Sequence, residues 1–435
     1  MFKKIKGKLD VHTLEVILNS SNTMIVKLAG LIVGILVSIF LGRNLGSEGL
    51  GIVNFSNRLG MILLILTMFG FQNVIIKFIA IAKGKNDDKA VADTLKTSLF
   101  FNGLLSILIA ILGAILLPVI LDIWDGNQDL YIPLLIVFIM LIPQTLSRVY
   151  GAALNGYGKI WQANLVNQTL SNLILGICLL IYWQLDIEFT PISVLILYAI
   201  SRVCLVLIVI ILWKQTFLGK IKGEFNFKPM FKMAKPLLLV TGTGVIASNA
   251  DTIMLGIIGT FDDVGIYSVA ARLALITSLF LLVINSAIKP KMAMLFSDNK
   301  INKIRAMVQT VTKGLTFVAL LFVITVLILG EWVLGLWGIE FKDAYNVLVV
   351  LSVGQFFNMA SGCSGTLLIM SGYEKIHGYI SVFSLILNII LNLILITNFG
   401  ALGAAIATAI TVILSNTAKV IIAKIKTGIL TLPYM

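Results

Sequence analysis

Charge is scarce in this chain, and acid scarcer still: charged residues make up 12% of the 435, with 20 Asp and Glu against 33 Lys and Arg. So thin a polar covering cannot wrap a water-soluble globule that is 59% hydrophobic, which excludes an ordinary soluble domain. The cysteine count of 3 excludes a disulfide-stapled scaffold. Cys178, Cys204 and Cys363 all fall in apolar stretches, where a small buried hydrophobe is their natural role. The 2 histidines, His12 and His377, are too isolated for a zinc site. No phosphate-binding glycine loop or nucleophile elbow occurs, and the segment 122–129, "DIWDGNQD", lacks the acidic spacing and terminal Glu of a calcium loop. Sizeable polar loops with clustered carboxylates, which a membrane-embedded glycosyltransferase or polymerase needs, are missing too. Covalent catalysis is therefore not expected, and the chain reads as a non-enzyme.

What the chain does have is hydrocarbon, with a mean hydropathy of +1.02. Twelve apolar runs cover 18–42, 49–70, 91–118, 131–152, 160–183, 191–213, 236–259, 264–288, 305–329, 344–370, 377–397 and 400–423. Runs of about 20 residues match a bilayer core of roughly 30 Å, so an all-α polytopic membrane protein with 12 transmembrane helices is expected. Charge orients it. With both termini cytoplasmic, only Arg43 and Lys342 among the basic residues fall in outward loops, whereas those loops hold Glu48, Asp122, Asp125, Asp129, Asp186, Glu188, Asp262, Asp263, Glu331, Glu340 and Asp343. The net charge of +13 is then a topology signal that also favours anionic lipids, and no nucleic-acid partner is implied. The start, "MFKKIKGK", leads into a span too long for a cleavable signal, so the first span is expected to remain.

The chain repeats itself. Shifted by 214 residues, "LGRNLGSEGLGIVNFSNRL" (41–59) lies without a gap on "LGIIGTFDDVGIYSVAARL" (255–273), with six of nineteen positions identical. At an offset of 216, "GYGKI" (156–160) meets "GYEKI" (372–376). Each repeat holds six spans, an even number, so the halves enter the membrane in the same direction as two six-helix lobes related by a parallel pseudo-two-fold. The lobes are read as 1–213 and 236–435, joined by a basic cytoplasmic linker, 214–235, that carries Lys214, Lys220, Lys222, Lys228, Lys232 and Lys235.

Charges inside the spans are one-sided. A charge at mid-bilayer costs about 2.5 kcal/mol or more, so each needs a partner or a wet cavity. Lys77, Arg148, Lys313 and Lys419 lie near the basic ends of their helices and can snorkel. Lys27, Arg58, Arg202 and Arg272 lie deeper and are the candidate cavity-lining, substrate-binding residues. Arg58 and Arg272 stand out because the repeat makes them equivalent, and Arg suits phosphate through its forked donors.

Asp251 is the lone acid within the spans, and its repeat counterpart is Val37. Two readings are open. One is an ion pair with Arg272; the other is a cation site with Asn388 and Asn392, spaced i, i+4, and with Thr408, all hard oxygen donors suited to Na⁺. Asparagines in such helices also hydrogen-bond between helices.

These residues resemble the polysaccharide or O-antigen flippases of the multidrug/oligosaccharidyl-lipid/polysaccharide exporter superfamily. The resemblance rests on "LGRNLGSEGLG", "DTIMLGIIGTFDDVGIYSVAARL", "GYEKI" and "LNIILNLILITNFGALGAAIAT", and covers nearly the whole chain. It implies a MATE-like fold of two six-helix lobes opening alternately to each side, and a cationic cavity for a polyprenyl-pyrophosphate-linked oligosaccharide. The implied task is moving that lipid from the cytoplasmic to the outer leaflet for surface polysaccharide assembly. The implied setting is a bacterial inner membrane, with membrane lipids and the polysaccharide polymerase machinery as partners and a monomeric flippase. In related lipid II flippases a sodium site uses an Asp on helix 7, an Asn-x-x-x-Asp/Asn pair on helix 11 and a Thr on helix 12, and Asp251, Asn388, Asn392 and Thr408 look like the matching positions. No organic cofactor is implied, and Na⁺ or H⁺ is the expected coupling ion. The rival reading is a MATE-like drug or metabolite exporter, although its cationic substrates would favour several intramembrane acids.

Overall fold

The computed structural model describes residues 11–124, 128–219, 223–298 and 300–433. The basic start, Asp125 of the acidic loop, and Lys220 and Lys222 of the expected linker lie outside them. Every regular element among the described residues is helical. In chain order they are α1 (Val11–Met68), α2 (Phe71–Gly84), α3 (Asp88–Ile123), α4 (Tyr131–Gly156) and α5 (Ile160–Asn164). After a π-turn over Leu165–Leu170 come α6 (Ser171–Gln184), α7 (Pro191–Thr216), α8 (Phe227–Ile258), α9 (Phe261–Ala274) and α10 (Ile276–Ser297). The last four are α11 (Ile301–Leu334), α12 (Tyr345–Ala360), α13 (Ser364–Met370) and α14 (Glu374–Thr427).

Among the described residues, nine helical stretches are long and apolar enough to cross a membrane, or ten if Ile160–Asn167 and Ser171–Gln184, bent by 40°, count as one. The count differs from the expected twelve for a local reason. Spans 1 and 2 run together in α1, and spans 11 and 12 in α14, with only one non-helical residue at each junction: Gly46 (φ 71°, ψ −178°) and Gly400 (φ 52°, ψ −129°). Both conformations lie where a Cβ is penalised, so glycine is what allows so abrupt a break.

Acidic side chains serve these breaks. Asp263 Oδ1 accepts the Ala401 N–H at 2.9 Å, replacing the helical partner lost past Gly400, and Asp263 Oδ2 accepts from Thr260 Oγ1 at 2.8 Å. Past Gly46, the Ser47 hydroxyl donates to Asp262. Other helix starts follow ordinary capping rules. Thr190 and Ser193 form a reciprocal capping box ahead of α7 with Pro191 at its first position, and Asp87 accepts the Ala90 N–H at 2.9 Å ahead of α3.

The chain divides into two compact units: Met1–Asn44 with Ser56–Ile246, and Leu45–Phe55 with Ala247–Met435. The division falls inside α8 rather than in the 214–235 segment expected as a linker. Backbone pairing explains why the end of that segment stays with the first unit. Lys96 Nζ donates to the Gly223 carbonyl at 2.8 Å, the Glu224 N–H to Asp93 Oδ1 at 2.6 Å, and the Asn226 N–H to Thr97 Oγ1 at 2.9 Å.

In the first unit α4 packs on α2, α3 and α7. Its core centres on Phe71, stacked on Phe101 at 5.0 Å and edge-on to Phe231 at 5.4 Å, with Ile75, Ile79, Leu95, Val149 and Trp213 around them. In the second unit α12 packs on α9, α11 and α14, and α13 packs on α14. The initial turns of the second half of α1 cross α9 in this unit through two glycines. A Cβ at Gly51 would fall inside the Phe261 carbonyl, and one at Gly265 inside the Ser47 carbonyl. Under the 214-residue shift Gly51 corresponds to Gly265 and Ser47 to Phe261, so the crossing is reciprocal: each copy of the motif receives the other in the same way.

Candidate functional site

The second unit gathers the residues of the expected cation site into one ring. Asp251, in the last third of α8, accepts from Asn392 Nδ2 on Oδ1 at 2.7 Å and from Thr408 Oγ1 on Oδ2 at 2.7 Å. Asn392 Nδ2 also donates to Asn388 Oδ1 at 3.1 Å, and Asn388 Nδ2 approaches Thr408 Oγ1 at 3.4 Å, which closes the circle. The Gly400 break turns α14 back on itself, and this brings Thr408 beside Asn388 and Asn392. Asn392 is fully buried and Asn388 buried.

One further residue belongs to the ring. The Tyr267 hydroxyl, from α9, donates to Asp251 Oδ2 at 2.6 Å, and its ring is buried. The sequence did carry a signal for it: under the repeat Tyr267 replaces Val53, as Asp251 replaces Val37, so two apolar positions of the first half become polar together in the second. A buried hydrogen bond to a charged group is worth about 1.5–3 kcal/mol, so Tyr267→Phe is expected to destabilise the chain by that amount. Thermal melting of the purified protein checks this; an unchanged midpoint would show that the bond contributes nothing.

The oxygen chemistry of the ring is unbalanced at one atom. Asn392 Oδ1 is buried and lacks a hydrogen-bond partner. Amide oxygen and nitrogen are interchangeable by a half-turn of the side chain. Turned over, Asn392 would bring Oδ1 toward Asp251 Oδ1 and Asn388 Oδ1, an all-oxygen cluster that only a cation or a proton can hold together. The donor set of one carboxylate, two amide carbonyls and a hydroxyl fits a monovalent hard cation. Among the described residues no group of three or more His, Cys, Asp or Glu is placed to hold a metal ion.

The predicted basic residues are distributed over both units. Lys27 and Arg58 on α1 and Arg202 on α7 belong to the first, and Arg272, in the last turn of α9, to the second. All four are half-buried, the usual compromise for a charge in a membrane helix. Arg58 Nη1 lies 4.0 Å from the Met61 sulfur. Arg148, read from sequence as snorkelling, acts electrostatically on Arg202, and its helix α4 packs on α7. An open groove of about 380 Å³ in the first unit, lined by Ile136, Ile139, Ile196, Ile200 and neighbours, is almost wholly hydrocarbon and holds none of the predicted residues.

Comparison with known proteins adds the following. Residues 16–296 match the family described as polysaccharide biosynthesis protein, and residues 236–394 match the MatE family. The chain is 31% identical over 202 residues to the probable low-salt glycan biosynthesis flippase Agl15 of Haloferax volcanii, across 44% of this chain and 42% of that protein. It is 26% identical over 293 residues to the capsular polysaccharide biosynthesis protein CapF of Staphylococcus aureus, across 66% of this chain and 72% of that one. The matched region thus spans less than half the length of Agl15. Among solved structures, an inward-facing multidrug resistance MATE family transporter of the MOP superfamily aligns over 93% of this chain and 98% of that chain, with a TM-score of 0.76 at 14% identity. The lipid II flippase MurJ, in an inward closed conformation, aligns over 94% and 89% with a TM-score of 0.71 at 16% identity. The fold is therefore MATE- and MurJ-like, and the molecule is a multi-pass membrane protein.

Proposed function

This chain belongs to the polysaccharide biosynthesis protein family, whose match covers residues 16–296, and from that premise we propose that it is a flippase for polyprenyl-pyrophosphate-linked oligosaccharide. Such an amphiphile cannot carry its sugar and pyrophosphate through hydrocarbon unaided. The head needs a wet, basic path, while the polyprenyl tail stays in lipid, so alternating access of two lobes does the work and no bond is made or broken.

The observation that carries this reading is the reciprocal crossing of Gly51 and Gly265. It supports equivalence of the two repeats, and in our reading these are related by a parallel pseudo-two-fold; hydropathy and the distribution of basic residues support six crossings each, twelve in all, and both termini cytoplasmic. Arg58 and Arg272 follow the crossing glycines by seven residues in each repeat, about 10 Å along the helix, so they hold equivalent positions in the two repeats. In our reading both serve the pyrophosphate, one from each repeat, with Lys27 and Arg202 extending the basic path. In our reading the two sequence repeats run over 1–213 and 236–435, although the compact units divide later, inside α8, and the membrane is the cytoplasmic membrane of a bacterium, where the polysaccharide polymerase would take up the product.

A monovalent cation or a proton at Asp251, Asn388, Asn392 and Thr408 would bias the two access states. The orphaned Asn392 carbonyl supports this, since a bound ion shifts an equilibrium only by its unequal affinity for the two states.

The test is transport by the purified chain in vesicles, with a fluorescent lipid-linked oligosaccharide whose outer-leaflet fraction is read by quenching. The wild type is expected to equilibrate the label, and Arg58→Ala with Arg272→Ala to fall to the protein-free rate while inserting and melting normally. Wild-type flipping by that double variant would overturn the assignment of the two arginines. Export of an organic cation without any flipping would favour the drug-exporter reading instead.

A further inference from the structure

Two basic side chains, His377 and Lys419, flank the short helix α13 in the second unit, and a third, Lys289, acts on His377 electrostatically. His377 lies in the first turn of α14, Lys419 in the later part of the same helix, and Lys289 in the second half of α10. Gly365 of α13 lies between the first two: a Cβ there would lie 2.9 Å from His377 Nε2 and 3.9 Å from Lys419 Cδ. A side chain at position 365 would fill the space that the imidazole edge occupies. The next residue, Thr366, donates to Asn285 Oδ1 at 3.0 Å, which ties α13 to α10. Asn285 precedes Lys289 by one helical turn on the same face, and with its carbonyl engaged it has its NH₂ left to donate.

Among the described residues no ion pair is seen between this group and an acid, and Glu374, in the same first turn as His377, is exposed. The charges that act on His377 come from Lys419 and Lys289. The ion pairs among the described residues whose partners are resolved, Lys89–Glu224 and Lys300–Asp298, lie elsewhere. His377 and Lys419 are half-buried while Lys289 is exposed, so the cluster opens outward on one side. Like charges held together in a partly desolvated place repel more strongly than in water, and the arrangement becomes favourable when an anion enters among them.

We propose that Lys289, His377, Lys419 and the Asn285 amide form a phosphate-binding site in the second unit. The donors come from three directions, which suits a tetrahedral group with several oxygens better than a planar carboxylate, and lysine holds phosphate as a point charge. The ligand class is a phosphate mono- or diester. Its two sources are an anionic phospholipid headgroup and a soluble phosphate. The inference stands apart from the flippase reading: it uses none of the residues assigned to the pyrophosphate or to the ion.

The test uses the full chain in nanodiscs of neutral phosphatidylcholine. In one arm, glycerol 3-phosphate, a soluble phosphate monoester, is titrated by calorimetry into the Arg58→Ala with Arg272→Ala background; in the other, phosphatidylglycerol is added and the lipids retained on the protein are counted by native mass spectrometry. Saturable binding in the first arm identifies a soluble phosphate, and selective retention in the second a headgroup. In whichever arm binds, Lys289→Gln with Lys419→Gln is expected to weaken binding at least ten-fold, while the charge-matched control Lys313→Gln with Lys342→Gln leaves it unchanged. Should the double variant fail to fold, Lys289→Gln alone, at an exposed position, is expected to weaken binding roughly three-fold. Absence of binding in both arms, or equal binding by the cluster variant and the control, overturns the proposal.

Discussion

Gly265→Ala is expected to abolish stable assembly of the protein, and Gly51→Ala to do the same. In each case the new methyl would occupy the space of a backbone carbonyl, that of Ser47 or of Phe261, and a backbone atom cannot swing aside as a side chain does. Overpacking costs typically reach about 3 kcal/mol, and the cost here should be at least that, on the order of a 100-fold loss in the folded population. The control is Gly314→Ala, where nothing lies within 4 Å and the change should be neutral or mildly stabilising, since alanine is the better helix former. Yield of monodisperse protein and its melting midpoint are the readouts. Normal assembly of both crossing variants would show that these two helices do not need close contact. Because the crossing is reciprocal, the two variants should also fail to similar degrees, and a large difference between them would break the symmetry argument.

Asp251→Asn is expected to cut transport at least about ten-fold and to remove any response to the coupling ion. Coupling free energies between sites are typically 1–3 kcal/mol, a 5–150-fold effect, and the carboxylate is the sole formal charge in the ring. If the ion is Na⁺, the wild-type conformational equilibrium should respond to Na⁺ and not to K⁺ at constant ionic strength, and the variant to neither. If the ion is a proton, the variant should behave as the permanently protonated form and lose its pH response instead. Distance measurements between spin labels in the two units read the equilibrium directly. Wild-type transport and an intact ion response in Asp251→Asn would sink the proposal. Asp251→Leu should in addition destabilise the fold, because it strands the donors of Tyr267, Thr408 and Asn392, each at about 1–3 kcal/mol.

Much of this was legible before any coordinates. Hydrocarbon length alone marks the helices, because lipid tolerates only helices and closed barrels, and apolar runs of about 20 residues fit a spanning helix where a barrel strand needs about 10. The duplication is visible as a shift of 214 residues and already pairs Gly51 with Gly265 and Arg58 with Arg272. The members Asp251, Asn388, Asn392 and Thr408 were readable from residue type and from the i, i+4 spacing of the two asparagines. Tyr267 was missed because a tyrosine in an apolar span is most simply an interfacial or packing residue, and only its distance to Asp251 shows otherwise.

The sequence by itself determined the membrane class, the helical content, the internal repeat and the identity of the polar residues the helices carry. Those follow from composition and periodicity, which are local properties of the chain. Tertiary structure decided the rest. It joined the runs at 18–42 and 49–70, and those at 377–397 and 400–423, into continuous stretches broken at Gly46 and Gly400, because one glycine with positive φ turns a helix as sharply as a loop does. It moved Leu45–Phe55 into the second unit, because the Gly51 and Gly265 backbones meet there. It set Asp262 and Asp263, which the sequence offered only as outward charge, to work at the two breaks, Asp263 satisfying a backbone group that the broken helix leaves without a partner and Asp262 accepting from the Ser47 hydroxyl. Which donor meets which acceptor depends on side chains tens to hundreds of residues apart in sequence, and hydropathy does not encode that distance.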